Sequence, residues 1–332
     1  MRRAILCGIA LTALLTMATA ADAASKVSGI AFGDYYWFAA NHDPSVEDQN
    51  GLWMRRIYLT YDLDKGDDVS MRFRLESGSP GVGGAGKMEP FAKDAYLKWT
   101  PGGGDRSWYI GLSGSPTFTG VEKAWGYRHV EKTPVDLYKL GSTRDFGVAV
   151  KGNLSEQIDY HVMIGNGNST GAENNKGKKY MASAGLALTD NMTVRGSFDF
   201  DDQAGEATFM TAQVLLLQKA EGLRWGLQYV LNNQDNGTTD QTVNVASGYV
   251  VFDVNEGTSV LARVDALLDE NPKVGGGYLP LVNTSKHYFI LAGVDFSPEE
   301  NFHIIPNAEI VVYDQSGVDT DIVPRVTFSY KF

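Results

Sequence analysis

The chain has 332 residues, a formal net charge of −11 at neutral pH and one cysteine, Cys7. An acidic balance of this size argues against a general affinity for nucleic acid, and a lone cysteine excludes an intrachain disulfide and a multi-cysteine metal site. Beyond the amino-terminal region no apolar run approaches the ~18 residues of a membrane helix, so a membrane protein with this sequence would cross with strands.

The amino-terminal segment has the composition of a secretory signal peptide. Arg2 and Arg3 precede an uncharged run at residues 4–21, and small residues typical of a cleavage site lie within 18–23. We therefore expect residues 1–23 to direct export and to take no part in the fold. The alternative is an uncleaved membrane anchor. Residues 24–332 contain no Pro/Ser-rich linker, which favours a single domain.

The remainder of the chain is predicted to form about sixteen β-strands. Residues 69–76 alternate most clearly, with Ser70, Arg72, Arg74 and Glu76 on one face and four apolar side chains on the other. Such alternation gives a strand one polar and one apolar face. The predicted strands are residues 27–38, 53–63, 69–76, 93–99, 108–113, 145–151, 158–165, 181–188, 192–200, 208–217, 223–231, 244–254, 260–268, 288–296, 302–313 and a closing strand that ends at 332. Most approach the ~10 residues that a tilted strand needs to cross a membrane.

The connections between the predicted strands alternate in length. Short ones, such as 64–67 and 152–156, alternate with mostly longer ones, such as 42–50, 165–179 and 232–241. Short turns at one end and longer loops at the other are typical of transmembrane β-barrels. A propeller would instead repeat a blade motif every ~40–50 residues, and no such repeat occurs. The sequence therefore predicts an all-β fold, a transmembrane antiparallel β-barrel.

The last predicted strand reads VPRVTFSYKF and carries Phe328, Tyr330 and Phe332 on one face. An apolar strand edge invites pairing in water, which closure against the first strand would prevent. This strand resembles the closing strand of Gram-negative outer-membrane β-barrels. The resemblance implies recognition by the barrel-assembly machinery and a final location in the outer membrane, among lipid and lipopolysaccharide.

The longest connection is the third outer loop, residues 116–143, and long loops without a function are uncommon. Its motifs WGYR (125–128) and EKT (131–133), with RDFG (144–147) in the next strand, resemble the phosphate-selective porin O and P family. Trimeric general porins likewise fold their third loop into the lumen. These resemblances imply an inward-folding constriction loop and a homotrimer. The alternative is an outer loop that lies over the mouth of the barrel.

The alternation and the loop together suggest which residues would set selectivity. The candidate pore-constriction residues are Arg56, Arg72, Arg74, Glu122, Arg128, Glu131, Lys132, Asp136 and Arg144. Charges matter most in a narrow passage, where little water remains to screen them. Our hypothesis is that basic wall residues face acidic loop residues across the narrowest point. The alternative is that the wall arginines only pair with Glu76 and Asp94 and keep the wall hydrated.

The charge pattern does not extend the family resemblance to phosphate specificity. The phosphate-selective branch implies a ladder of lumen arginines and a lysine cluster on the loop, whereas here ten inferred lumen bases stand against ten inferred lumen acids. No G-x-S-x-G or H-E-x-x-H motif is present, and the five histidines lack ligand spacing. We therefore expect no enzyme, no cofactor and no metal site.

The predicted function is a passive diffusion channel, a porin, for ions and small hydrophilic solutes. Its solutes, the outer-membrane lipid and lipopolysaccharide, the assembly machinery and two further copies of the chain are the expected partners. The competing hypothesis is a non-conducting outer-membrane barrel that acts as an adhesin or envelope anchor through its outer loops.

Overall fold

The computed structural model describes residues 24–66, 68–203, 207–275 and 278–332. The predicted signal peptide, residues 1–23, lies outside the described residues. Among the helices that the structure does describe, none is long and apolar enough to cross a membrane.

The described chain forms sixteen strands. They are β1 (Ala24–Trp37), β2 (Asn50–Asp64), β3 (Val69–Ser77), β4 (Phe91–Trp99), β5 (Ser107–Gly114), β6 (Arg144–Asn153), β7 (Ile158–Gly165), β8 (Lys179–Thr189), β9 (Met192–Asp202), β10 (Thr208–Ala220), β11 (Leu223–Asp235), β12 (Asp240–Asn255), β13 (Thr258–Leu267), β14 (His287–Glu299), β15 (Phe302–Tyr313) and β16 (Asp321–Lys331). Two helices, α1 (Pro116–Trp125) and α2 (Pro134–Leu137), lie between β5 and β6. A 3-10 turn, Pro101–Gly103, precedes β5.

The strands form one closed ring in which each pairs antiparallel with its neighbours in sequence, and β1 pairs with β16. At this seam Ile30 lies opposite Lys331 and Tyr36 opposite Arg325. The backbone N–H of Gly29 donates to the carbonyl of Phe332 at 2.9 Å, and the N–H of Phe332 donates back at 3.1 Å. The prediction of a closed antiparallel barrel of about sixteen strands is confirmed.

The outer face of the barrel is apolar. Leu52, Ile110, Leu227 and Tyr330 all point outward, with 50% or more of each residue exposed. Their sequence neighbours point inward, where the wall is mostly polar on β2–β9 and carries a buried apolar cluster on β10–β16. An apolar outer face is expected for a barrel with lipid outside. A barrel that stood in water would place polar residues on this outer face.

The connection predicted at residues 232–241 is mostly strand. β11 continues to Asp235 and β12 begins at Asp240, so the connection shrinks to residues 236–239. Its Asn and Gln residues resemble loop composition, but Asn232 and Gln234 point inward and form hydrogen bonds there. Polar residues suit a strand whose inner face is itself polar, and for that reason the prediction was wrong here.

Candidate functional site

The segment between β5 and β6, residues 115–143, lies inside the barrel and is called the inner loop below. Its backbone carbonyls accept hydrogen bonds from inward side chains of distant strands. Arg325 Nη2 on β16 donates to the carbonyl of Val130 at 3.0 Å, and Gln213 Nε2 on β10 donates to that of Thr117 at 2.6 Å. The inner loop therefore crosses the interior and contacts the far wall.

The local fold of the inner loop follows from its sequence. Pro116 occupies the first turn of α1, where its missing N–H is tolerated, and Gly126 ends the helix with φ +75°. Phe118 and Trp125 of α1 are buried. The indole Nε1 of Trp125 donates to the carbonyl of Glu131 at 2.8 Å, which folds the chain after the helix back onto it. The apolar residues of the loop form one continuous core with the inner face of β10–β16.

The side of the inner loop that faces β1, β2 and β13–β16 is closed to water around three arginines, while Tyr127, Asp295 and His303 line a cavity of about 540 Å³ beside them. Three arginines there have side chains only 1–2% exposed, namely Arg55, Arg263 and Arg325. Arg55 pairs with Asp34 at 2.5 Å, and Arg263 Nε donates to Asp265 Oδ1 at 2.8 Å. We call this region the sealed side. Buried charges of this kind persist only when they are paired and hydrogen-bonded.

Arg325 is the central cation of the sealed side. It pairs with Glu309 on β15, and its Nη1 lies 3.7 Å from Glu131 Oε2 of the inner loop. Burial alone would raise the pKa of Glu131, but the guanidinium groups of Arg325 and Arg55 outweigh it and lower that pKa to about 2. Glu131 is therefore a charged anchor that fixes the loop to the wall.

Asp34 joins three strands at the seam. Its carboxylate accepts from Trp53 Nε1 at 2.9 Å, pairs with Arg55 on the same strand β2, and accepts from Thr327 Oγ1 on β16 at 2.5 Å. The carboxylate is fully buried. Each of its oxygens is thus bonded, as a charge in that position requires.

The other face of the inner loop looks toward β2–β7 across a water-accessible space, called the open side below. On the wall, Arg56 lies 3.1 Å from Glu76, and Lys93 lies 3.0 Å from the same carboxylate. Arg74 and Arg144 both pair with Asp94, at 3.0 and 2.5 Å. One cavity of about 340 Å³ runs between this wall and α1.

The loop contributes its own charges to the open side. Arg128 pairs with Asp136 at 2.8 Å and with Glu122 at 3.4 Å. Burial would raise the pKa of Asp136, but Arg128, Lys132 and the wall residue Arg56 lower it. The ammonium of Lys132 lies 4.6 Å from the ring centroid of Tyr278. Acidic and basic groups of the loop therefore stand opposite a mostly basic wall.

Four of the nine predicted constriction residues line the cavity between the wall and α1, and four lie in a cluster of charges beside it; the first four are Arg72, Arg74, Glu122 and Arg144, and the second four are Arg56, Arg128, Lys132 and Asp136. Glu131 is the exception, because it is fully buried on the sealed side against Arg325 and Glu309. The prediction that Glu131 faces the opening is wrong. Arg72 also departs from the expected pairing, since it makes a bidentate pair with Asp62 at 2.7 and 2.9 Å rather than with Glu76 or Asp94.

Arg55 and Lys93 are among the inward-facing cations that sequence reasoning missed. The pairing of β1 with β2 shifts register between Phe32 and Gly33, and Arg55 is the extra residue. Lys93 is the extra residue where the pairing of β3 with β4 shifts. A β-bulge inserts one residue and so turns two neighbours to the same face. The adjacent basic or charged pairs at 55–56 and 93–94 were the available hint.

None of the clusters of His, Cys, Asp and Glu in the described ranges has the arrangement to hold a metal ion. Of the histidines, His303 pairs with Asp295 at 3.0 Å and lies with its ring centroid 5.4 Å from that of His129. Tyr127 of the inner loop donates to the same carboxylate at 3.0 Å. These contacts attach the inner loop to β14 and β15.

Comparison with solved structures identifies the architecture. An anion-selective porin from Comamonas acidovorans is similar over 93% of this chain and 100% of its own, with a TM-score of 0.67 and 11% sequence identity. Salmonella typhi OmpF in complex with daunomycin matches over 93% and 97%, with a TM-score of 0.67 and 12% identity. The chain has the fold of a porin. Pseudomonas putida OprB is also similar, with a TM-score of 0.63 and 12% identity over 97% of this chain and 96% of that one.

Sequence comparison adds nothing to this assignment. No family model matches the chain, and no curated protein matches it. At identities of 11–12%, the similarity to solved structures establishes the fold alone. The resemblance to the phosphate-selective porin O and P family stays a prediction.

Proposed function

We propose that the protein is a passive diffusion channel of the bacterial outer membrane for ions and small hydrophilic solutes. The observation that carries the proposal is the open side, where water-accessible cavities lined by charged residues lie between the inner loop and the β2–β7 wall. An apolar outer face around water-accessible charged cavities suits a barrel that spans lipid. The porin fold is in keeping with this function.

Selectivity is proposed to arise where wall and loop charges face each other. Arg56, Arg74 and Arg144 stand on the wall, and Glu122 and Asp136 stand on the loop. In a narrow passage with low-dielectric walls, a few such charges act on a solute over short distances with little screening. Their opposed placement would give a field across the passage.

Single-channel recording of the purified protein in a planar lipid bilayer tests the proposal. We expect stepwise conductance, and a reversal potential in a salt gradient reports the ion preference. The double variant Arg72→Ala, Arg74→Ala should change conductance or ion preference, whereas Lys176→Gln, on the exposed connection between β7 and β8, should change neither. An unchanged double variant would remove these arginines from the selectivity mechanism.

The same recordings separate the channel from its competitor. A non-conducting barrel that serves as an adhesin or envelope anchor would give no current. Insertion in triplets of equal steps would support the homotrimer, which the family resemblance implies. Export by the signal peptide, contact with lipopolysaccharide and recognition of the strand ending in Phe328, Tyr330 and Phe332 by the assembly machinery belong to the same proposal.

Phosphate specificity is the finer form of the family resemblance. Chloride and phosphate conductances measured at equal ionic strength would test it. The pairing of Arg72, Arg74 and Arg144 with Asp62 and Asp94 leaves those guanidinium groups largely compensated. We therefore propose a general solute channel and not a phosphate-specific one.

A further inference from the structure

Lys151, on β6, stands at the junction of three cavities of the open side. It lines cavities of about 520, 360 and 340 Å³. Lys98, on β4, lines the first of these, and Lys123, on α1, lines the second and third. Three ammonium groups from two strands and the inner loop thus border one continuous space.

These three lysines carry charge that no neighbour neutralises. Within the described residues, none of their ammonium groups forms an ion pair with a carboxylate. The arginines nearby differ, because Arg72 is held by Asp62 and Arg144 by Asp94. Over the lining of the three cavities, four lysines (these three and Lys26) and two carboxylates (Asp64 and Asp105) form no ion pair among the described residues, so this water-accessible space has a surplus of positive charge.

Two aromatic rings stand in the same space. Tyr96 and Tyr109 line both the largest and the smallest of the three cavities, with ring centroids 5.3 Å apart in an edge-to-face arrangement. The ammonium of Lys151 lies 4.6 Å from the ring centroid of Tyr109. Uncompensated cations thus lie directly beside aromatic surface.

The combination suits one class of ligand. An oxyanion gains from the three ammonium groups, since uncompensated charges attract it through water that the walls partly displace. A ligand with an apolar or aromatic body gains further from the tyrosine rings, which prefer edge-to-face or offset contacts. An inorganic anion makes only the first kind of contact.

We infer that the open side contains a binding subsite for small organic anions, formed by Lys98, Lys123 and Lys151 together with Tyr96 and Tyr109. The carboxylate contacts the lysines, and the attached apolar body lies against the tyrosine rings. The inference rests on the proposed function, because it places the subsite in the path of diffusing solutes. Binding itself does not require conduction.

The test compares benzoate, acetate and inorganic phosphate as blockers of the chloride current in a planar bilayer. Wild-type barrel should be blocked by benzoate at a concentration several-fold below that of acetate or phosphate. The triple variant Lys98→Gln, Lys123→Gln, Lys151→Gln should need at least about fivefold more benzoate, the factor that corresponds to one pair of unit charges 4 Å apart in water. Its reversal potential should also shift toward cations.

The double variant Tyr96→Ser, Tyr109→Ser separates the two halves of the subsite. It should raise the benzoate concentration needed for block by about threefold, the scale of one aromatic contact. Block by acetate and the reversal potential should stay close to wild type. The control Lys176→Gln, which removes one lysine charge outside the lining of these cavities, should leave block by all three anions unchanged.

Equal block by benzoate and acetate in the wild type would overturn the inference, as would full retention of benzoate block in the triple lysine variant. A second measurement covers a barrel that does not conduct. Saturation-transfer NMR of benzoate with the folded barrel in detergent should show binding that the lysine variant loses. A barrel that binds benzoate but carries no current would refute the proposed channel and support the subsite. A barrel that carries current but does not bind benzoate would support the channel and refute the subsite.

Discussion

Pairs of arginine with a carboxylate occur on both sides of the inner loop, but they are buried on the sealed side and partly exposed to water on the open side. On the sealed side the side chains of Arg55, Arg263 and Arg325 are 1–2% exposed. On the open side those of Arg72 and Arg74 are 32% and 18% exposed. All five arginines pair with carboxylates. The difference in solvent access makes the first group part of the loop's attachment and leaves the second available to passing ions.

Burial also changes what the charge tally means. Four acidic residues that strand alternation places on the inner face, and that were counted among the ten inferred lumen acids, are fully buried: Asp34, Asp145, Asp265 and Glu309. They belong to the wall and to the attachment of the loop, so they do not face a passing solute. Counting inward charges by alternation therefore overestimates the acids that a solute meets. The comparison shows that direction of the side chain and access to water are separate properties.

The strongest test of the comparison is a matched pair of variants, Arg325→Met and Arg72→Met. Loss of Arg325 leaves Glu309 and Glu131 buried without their cation, which costs about 3–5 kcal/mol of folding free energy. Loss of the more exposed Arg72 should cost at most about 1 kcal/mol. Urea unfolding in phospholipid vesicles measures both. Equal losses of unfolding free energy in the two variants would show that Arg325 is no more shielded from water than Arg72.

A smaller effect is expected from Tyr127→Phe. The change removes the hydroxyl that donates to Asp295. The Asp295 carboxylate then keeps only its contact with His303 of these two partners. Loss of one hydrogen bond to a charged group costs about 1.5–3 kcal/mol. Urea unfolding should show this loss, with ion preference unchanged because the contact lies away from the open side. A large shift in reversal potential would contradict the assignment.

Acid should loosen the inner loop. Burial lowers the pKa of His129 to about 3, with His303 and Arg55 adding to the effect, whereas the ordinary value is 6.5. A released loop therefore binds a proton on His129 as pH falls below 6.5, and the attached loop does not. Glu131 acts in the same direction at lower pH, since its attached pKa of about 2 lies below the ordinary 4.5. Acidification favours release in both cases.

The measurable consequence is open-channel noise that increases as pH falls from 7 to 4. His129→Gln should remove the part of the response between about pH 6.5 and 4.5 and leave the part below it. Lys139→Gln, on the exposed end of the loop, supplies a control with a charge change. A variant response identical to wild type over the upper interval would exclude His129.

The smallest expected effect on stability comes from the open side itself. Arg72→Gln should alter folding free energy by less than about 1 kcal/mol, because its pair with Asp62 is partly solvated. Its ion preference should nevertheless move toward cations, since Asp62 becomes uncompensated in the cavity of about 520 Å³. Reversal potentials in a potassium chloride gradient measure this. An unchanged preference would place Arg72 outside the path.

The sequence was sufficient to predict the strands and their order. Alternation marks them because each strand of a barrel separates an apolar from a polar surface, and that pattern is local. It placed Arg56, Arg72 and Arg74 on the inner face without knowledge of the partners. The error at 232–241 arose because polar residues on an inward face look like those of a loop.

The candidate site was only partly predictable, since its remaining features depend on distant residues. The bulges at Arg55 and Lys93 each turn one side chain to the inner face of the sheet, and the amino-acid composition does not reveal where they occur. The burial of Glu131 depends on Arg325, which is far away in the sequence. Which face of the inner loop meets water is decided by the whole ring, and no local pattern records it.

The position of Asp34 bears on how the ring is completed. Its partner Thr327 lies 293 residues further along the chain, whereas Trp53 and Arg55 are near neighbours. Until β1 pairs with β16, the Asp34 carboxylate lacks its hydrogen bond from Thr327 Oγ1. An unclosed sheet is therefore less stable at Asp34 than the closed ring. This difference in free energy favours closure over a partly assembled barrel.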